Sequence, residues 1–390
     1  MDTSNGKTNI LIISPFARPN LGGVESHIDK LVAYCVKKNL YPIVLTYQPL
    51  TRNIKGDKFE KYENYEFHRI NWPGYDLFNK LEKYFVLQFL YLFPGLFYLS
   101  FFYYLKNYKK ISCIHAHGLI GAAITRVLTI IHPVRSVVST HAVYCFSERP
   151  LLSYLVKSIL NGFDVILAVS EVSKTEIINI GVSPEKVKVH PNWIDTDTFK
   201  IIETEAPSNN SINVLFVGRL IEKKGIYVFL ETAKLFTDVI FHVVGGGSDE
   251  KQIMQTYSGL TNVKFYGILS QDNREELNKL VSLYNMCDFM ISPYLYDEGF
   301  STTLLESISC GTPLIVTERG SPPTFLNKDV AFYLPYNPTP ESISKIIQEY
   351  KVKISNESYK KELQTKCRDY AQKMFGFSNA DVIINSYVQP

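Results

Sequence analysis

Two doubly wound, Rossmann-like α/β domains in tandem are the fold class that these 390 residues predict. Three observations carry the prediction. Short apolar runs of strand length alternate with helical patterns through the first half, and the same alternation restarts after residue 211. Between 192 and 211, apolar periodicity gives way to Asp, Thr, Glu, Pro, Ser and Asn, the composition of a linker.

Residues 9–14 and 41–46 are strand-length runs separated by a helical pattern (Val24, Ile28, Leu31, Val32, Cys35), which gives a β-α-β opening. Further strands are expected at 111–116, 135–140 and 164–169. In the second half they are expected at 212–217, 239–244, 263–266, 289–292 and 313–316. Each run ends near polar or glycine-containing turns, and the ligands of such sheets sit beyond the carboxyl ends of their strands. The expected domains are 1–195 and 212–365, joined by a linker at 196–211 and followed by a terminal segment, 366–390.

One stretch departs from this rhythm. Residues 84–105 hold no charge and are rich in Phe, Tyr and Leu, long enough to span a bilayer. Pro94-Gly95 is expected to break the stretch, and it falls between strands of one sheet, so the reading is one or two helices, part core and part surface. Lys80, Lys83, Lys106, Lys109 and Lys110 flank it. Peripheral contact with an anionic membrane and a buried helix pair therefore stand side by side.

A formal charge of +3, from 41 basic and 38 acidic residues, gives no basis for a nucleic-acid partner. The six cysteines are scattered and lack any C-x-x-C pair, which fits reduced, buried thiols in a cytoplasmic protein. The apolar run at 10–13 is too short for a signal peptide, so export is not expected.

Candidate site residues cluster after the expected strands. Gly218-Arg219 follows one strand, and Lys224 comes within a turn. Two cations at a strand's carboxyl end can neutralise a diphosphate without a metal, although lysines in a turn are equally a solvated pair. Gly245-Gly246-Gly247 closes another strand but lacks the dinucleotide spacing, since Glu250 stands at the last glycine position. Glu298-Gly299-Phe300-Ser301-Thr302-Thr303 leads into a helix whose free N–H groups suit phosphate. Glu306, three residues after Thr303, is either a capping-box partner or a ribose ligand. In the first half, Gly22 and Gly23 leave room beside the backbone, and His141 ends a strand facing the same crevice.

No metal site is expected. Asp195-Thr196-Asp197 has a D-x-D spacing but lies in the linker stretch, and His115-Ala116-His117 places two imidazoles on one strand face without an evident third ligand. The G-x-S-x-G and H-E-x-x-H signatures are missing from the sequence.

Taken in order, Gly22-Gly23-Val24-Glu25, Thr140-His141, Val217-Gly218-Arg219-Leu220 with Lys224-Gly225, Gly245-Gly246-Gly247 and the Glu298/Glu306 pair resemble retaining glycosyltransferases of family 4. The run from Asn192 to Phe199 looks like that family's interdomain signature. Gly22 to Ile28 is especially similar to members that glycosylate phosphatidylinositol lipids, and related wording occurs in polysaccharide-building members. The resemblance implies a GT-B fold, two Rossmann-like domains facing across a cleft, with a C-terminal helix returning to the first domain. It implies that Arg219 and Lys224 hold the donor diphosphate, that Ser301 and Thr302 support it, and that Glu306 binds ribose. Glu298 would hold the donor sugar, with Gly22, Gly23 and His141 completing its pocket. Gly246, Gly299 and Phe300 belong to the same expected donor set.

The implied partners are a nucleotide-sugar donor and a lipid-linked or saccharide acceptor, with no cofactor and no metal. The implied reaction proceeds on one face of the sugar, the departing phosphate helping to deprotonate the acceptor. Ser301 departs from the family pattern, which usually has glycine there. A nucleotide-sugar epimerase and a non-catalytic sugar-nucleotide-binding protein are the rival readings.

Overall fold

A computed structural model describes residues 7–388, except 21, 51–53, 75–76, 82–83, 142–149, 191, 204–210, 272, 300 and 355. The chain forms two units, one made of residues 1–192 with 378–390 and the other of 193–377.

The first unit is built on an eight-stranded sheet. Its strands are β1 (Thr8–Ile13), β2 (Leu40–Tyr47), β3 (Phe59–Lys61), β4 (Glu66–Ile70), β5 (Ile111–His117), β6 (Arg135–Ser139), β7 (Val165–Ala168) and β8 (Val187–Val189). They lie in the order β3-β4-β2-β1-β5-β6-β7-β8, and every pairing is parallel except β3 with β4. The order reverses between β1 and β5. In a doubly wound sheet that reversal opens a crevice at the strands' carboxyl ends.

The second unit carries β9 (Ile212–Val217), β10 (Val239–Val244), β11 (Val263–Phe265), β12 (Phe289–Ser292), β13 (Leu314–Thr317) and β14 (Ala331–Leu334). These form an all-parallel sheet ordered β11-β10-β9-β12-β13-β14, with its reversal between β9 and β12. The central strands read as near-continuous apolar runs because helices cover both faces, and Val214, Phe241, Phe289 and Ile315 are fully buried in one core.

The segment expected to break does not. Phe85–Asn107 is one 23-residue helix with Pro94 inside it. Proline removes a donor from the helical ladder, and the Tyr47 hydroxyl repairs the neighbourhood. It donates to the Leu92 carbonyl at 2.6 Å and accepts from the Leu96 amide at 2.7 Å, bridging a pair one helical turn apart. Gly95 permits that approach, since a Cβ there would press on the Trp72 ring. Leu92, Leu96, Ser100 and Tyr104, spaced by four, form the buried stripe of this helix. Most of its remaining surface is apolar and open: Val86, Leu87, Leu90, Tyr98 and Phe102 are exposed.

The stretch expected to be a linker is core in its first part. Trp193, Ile194 and Phe199 are buried in the second unit. The Ile194 amide donates to the Phe375 carbonyl at 2.8 Å, and the Arg368 guanidinium donates to the Phe199 and Thr196 carbonyls, each at 2.7 Å. Helix Glu357–Phe375 thereby clasps this segment, and the unit boundary falls at Asn192, three residues before the expected one. The returning segment begins at Ser378, twelve residues later than expected. Helix Asp381–Tyr387 packs on the first unit: the Tyr387 hydroxyl meets His115 Nδ1 at 2.7 Å, and Tyr34 donates to Asp381 at 2.7 Å.

Candidate functional site

In the second unit the functional side chains gather where the sheet order reverses. The chain leaves β9 through Gly218 and the exposed Arg219, makes one 3-10 turn at Glu222–Lys224, and enters the next helix through Gly225. Gly225 is left-handed (φ 78°) and lies against the Pro293 carbonyl, where a Cβ would collide. This close approach lets the Leu295 amide donate to the Lys223 carbonyl at 2.9 Å, tying the segment after β9 to the segment after β12. Lys224 consequently reaches Glu298.

The Lys224 ammonium forms an ion pair with the Glu298 carboxylate, with side chains only 14% and 11% exposed. Tyr296 donates to the same carboxylate at 2.5 Å, and the ammonium lies 5.0 Å from the Tyr294 ring centroid and 5.3 Å from that of Tyr296. Burial pulls the Lys224 pKa down, while Glu298 acts in the opposite direction. The outcome is a lysine–carboxylate pair stripped of most of its water, where charge interacts more strongly than at an open surface. The Ser321 amide donates to the Glu298 carbonyl at 2.8 Å, so the chain after β13 fixes the backbone of this segment as well.

The expected glycine turn is present, and its glycines serve packing. Gly245 (φ 137°) lies against the Gly218 carbonyl, the Gly218 amide donates to Val244 and the Leu220 amide to Gly246, both at 3.0 Å. Ser301 is the N-cap of helix Thr302–Ser309 in extended conformation, but its hydroxyl pairs with that of Thr303 at 2.8 Å and no side chain among the described residues caps the helix. Gly299 precedes it, and Phe300 lies outside the described residues.

Glu306 corrects one alternative. With Ser301 as N-cap, Glu306 is the fifth residue of the helix, too far along for a capping box. Its carboxylate is buried instead beneath the helix, where it accepts from the Tyr284 hydroxyl and the Gln271 amide, each at 2.9 Å. Asp195 is likewise occupied, accepting from the Asp197 and Thr198 amides at 3.0 and 3.3 Å and from the Thr198 hydroxyl at 2.7 Å.

In the first unit the reversal between β1 and β5 holds a different chemistry. Gly22 and Gly23 are exposed where helix Gly23–Lys37 begins, and Glu25 folds back beside Gly22. Its carboxylate accepts from Asn20 at 2.6 Å, and burial raises its pKa. Beside this turn stand His27 from the helix, His117 from the end of β5 and His141 just after β6. His117 Nδ1 and His141 Nε2 share a hydrogen bond of 2.8 Å, and the His27 ring centroid lies 5.5 and 4.9 Å from theirs. His115 is anchored by Tyr387 and, at 2.8 Å, by the Ser139 hydroxyl.

Burial pushes His27, His115 and His117 well below the ordinary imidazole range, and takes His141 and His190 down to about 4. At neutral pH the group is uncharged and can orient hydroxyls. It cannot supply cations to a phosphate. Sequence reasoning found His141 and missed His27 and His190; the available signal was that His117, His141 and His190 each stand within two residues of a strand's carboxyl end.

Comparison with known proteins agrees with this two-unit layout. A family model described as Glycosyltransferase Family 4 matches residues 21–198, and one described as Glycosyl transferases group 1 matches 197–374. The phosphatidylinositol N-acetylglucosaminyltransferase GPI3 subunit of Saccharomyces cerevisiae is 24% identical over 83% of this chain and 71% of its own length. The O-antigen chain mannosyltransferase C of Escherichia coli is 25% identical over 79% of this chain and 78% of its own. Among solved structures, Anabaena HepE in complex with UDP and glucose superposes with a TM-score of 0.71, covering 97% of this chain and 99% of that one at 16% identity. At that identity the likeness is one of fold, and the fold is GT-B in class: two parallel-sheet, Rossmann-like units.

Proposed function

Because the chain belongs to the group 1, family 4 glycosyltransferases, we propose that it is a retaining enzyme that carries a sugar from a nucleotide-sugar donor to a lipid-linked acceptor. The observation that carries the reading is the water-poor Lys224–Glu298 centre at the β9/β12 reversal. Lys224 and Arg219 offset the charge that grows on the departing diphosphate, an electrostatic contribution made where the transition state needs it. Glu298 holds Lys224 in place and offers its carboxylate to donor-sugar hydroxyls, while the uncapped N-terminus at Ser301 and Thr302 receives phosphate oxygens. Glu306 binds ribose. The neutral His141 and the Gly22-Gly23 turn orient sugar hydroxyls.

In the step itself, the bond from the anomeric carbon to the phosphate oxygen breaks on the face where the acceptor oxygen bonds. The acceptor's proton passes to the leaving phosphate. No metal is required by this chemistry.

A lipid-linked acceptor is favoured over a free saccharide by the surface of helix Phe85–Asn107, largely apolar outside its buried stripe, with exposed Lys106 in its last turn and exposed Lys109 and Lys110 just after it. Helix Pro150–Leu160 adds exposed Leu151 and Tyr154, at 75% and 68%. Such surfaces suit the cytoplasmic face of an anionic membrane.

The test is a thermal-shift panel of UDP-, GDP- and ADP-sugars, in which a donor at 100 times its dissociation constant adds about 2.7 kcal/mol of stability. Incubating the stabilising donor with and without lipid acceptor, in the presence of a chelator, then separates transfer from epimerisation. Product NMR reads the anomeric configuration. A donor turned over without acceptor, or an inverted product, overturns the reading.

A further inference from the structure

Glu298 faces two demands in the proposed reaction, since one carboxylate must hold Lys224 and accept donor-sugar hydroxyls at the same time. Resting on that reading of the second unit, we propose that Tyr296 is a positioning residue for donor-sugar recognition. Its phenol, together with Lys224, occupies one oxygen of Glu298 and turns the other toward the sugar.

Both donors converge on a single atom. The Lys224 ammonium and the Tyr296 hydroxyl, the latter at 2.5 Å, meet Glu298 Oε2, and Oε1 takes no hydrogen bond among the described residues. An ionised carboxylate offers about four acceptor positions, shared equally between its oxygens. Those on Oε2 are filled, so those on Oε1 are left for hydroxyls. The terminal torsion of a glutamate is broad, and with Lys224 alone the carboxylate could turn to present either oxygen or both to the ammonium. A second donor fixed on Oε2 removes that freedom.

Tyr296 is itself held on both sides. The Leu295 amide donates to the Lys223 carbonyl at 2.9 Å, and the Ser321 amide donates to the Glu298 carbonyl at 2.8 Å. The Tyr296 ring meets the edge of Tyr294, with centroids 6.1 Å apart at 74°, and its centroid lies 5.7 and 5.3 Å from the ammonium groups of Lys223 and Lys224. A ring packed in this way gives its hydroxyl a fixed direction. Burial, and then the charge of Glu298, holds the phenol well above the ordinary tyrosine range, so it keeps the proton that it donates. Ring and hydroxyl therefore do separate things: the ring faces the cations, and the hydroxyl orients the carboxylate.

The test compares sugar nucleotides with their bare nucleotides, UDP-N-acetylglucosamine against UDP and GDP-mannose against GDP, by calorimetric titration of the full-length protein. Tyr296→Phe keeps the ring beside Lys224 and removes only the hydroxyl. It should weaken the sugar nucleotide about tenfold, the scale of a lost hydrogen bond to a charged group, and leave the bare nucleotide within about twofold of wild type. Glu298→Gln should weaken the sugar nucleotide as well, and adding Tyr296→Phe to it should cost nothing more, because the phenol acts through Glu298. Tyr333→Phe, whose hydroxyl donates to the Leu326 carbonyl at 2.7 Å elsewhere in the unit, should change neither ligand. Equal weakening of both ligands by Tyr296→Phe would give the phenol to the diphosphate or to packing, and additive losses in the double variant would free it from Glu298; either overturns the inference. Loss of sugar discrimination in Glu298→Gln but not in Tyr296→Phe overturns the inference alone. Wild-type discrimination in both variants, or a wild-type protein that binds neither pair, overturns the donor-site reading with it. Should Glu298→Gln misfold, the split between the two ligands in Tyr296→Phe, measured with an unchanged circular dichroism spectrum, decides by itself.

Discussion

The two units put opposite electrostatics at the same architectural position. Each has a sheet whose strand order reverses once at its centre, between β1 and β5 in the first and between β9 and β12 in the second. The first reversal is lined by uncharged imidazoles, the second by a buried lysine and glutamate. Fold therefore fixes where a ligand sits, and side chains fix what it is. An uncharged cluster is suited to orienting hydroxyls, and a buried lysine held by a carboxylate is suited to a diphosphate.

The strongest way to break this contrast is Lys224→Ala. Turnover should fall about a hundredfold, the scale expected for loss of one transition-state charge partner, with an unchanged circular dichroism spectrum. Wild-type turnover would remove the diphosphate from the second unit.

Acid unfolding sharpens the comparison next. A histidine whose folded pKa is lowered contributes stability that is complete above the unfolded value near 6.5 and is lost as pH falls toward the folded value. Five such histidines lie in the first unit, whereas His242, pushed down to about 4, is the one shifted this way among the described residues of the second. Hydrogen exchange between pH 6.5 and 4 should therefore show the first unit opening before the second. Simultaneous opening would mean that the cluster stays hydrated in the native state.

Glu306→Gln tests a smaller effect. Donor affinity should drop roughly tenfold, in line with a lost hydrogen bond to a charged acceptor, with a melting temperature near that of the wild type. A lowered melting point with unchanged affinity would leave Glu306 serving only Tyr284 and Gln271. Smallest is Tyr47→Phe, which removes the bridge at Pro94 and should cost about 1 kcal/mol in denaturant titrations; it should also loosen the apolar helix enough to reduce binding to anionic vesicles. No change in either would mean that the helix passes the proline unaided.

What could be read from the sequence follows from the range of the forces involved. Strands buried on both faces, such as β9, β10 and β12, announce themselves as apolar runs. The edge strand β3 and the alternating, charge-bearing β4 do not, and β8 and β14 span only three and four residues. The proline break was misread because its remedy, Tyr47, lies more than forty residues away. Glu306 looked like a cap because Thr303 is a good N-cap residue, yet the N-cap is Ser301. Lys224 and Glu298 were visible as types at strand ends, but their pairing depends on Gly225 approaching Pro293. The histidine cluster was hidden because its members are assembled from residues 27, 117 and 141, none near another in the chain.

The returning helix Asp381–Tyr387 bears on the order in which the molecule is made. His115, at the heart of the first sheet, has Tyr387 as a partner, and Ile383 is fully buried against the same unit. As the chain emerges from the ribosome, residues 1–192 come out first and must wait, with this surface uncovered, while all of 193–377 is synthesised. The second unit is a continuous stretch and can close as soon as it is out. The unit that starts first thus finishes last, and a chain released before residue 378 would present a half-sealed first unit to chaperones beside a complete second unit.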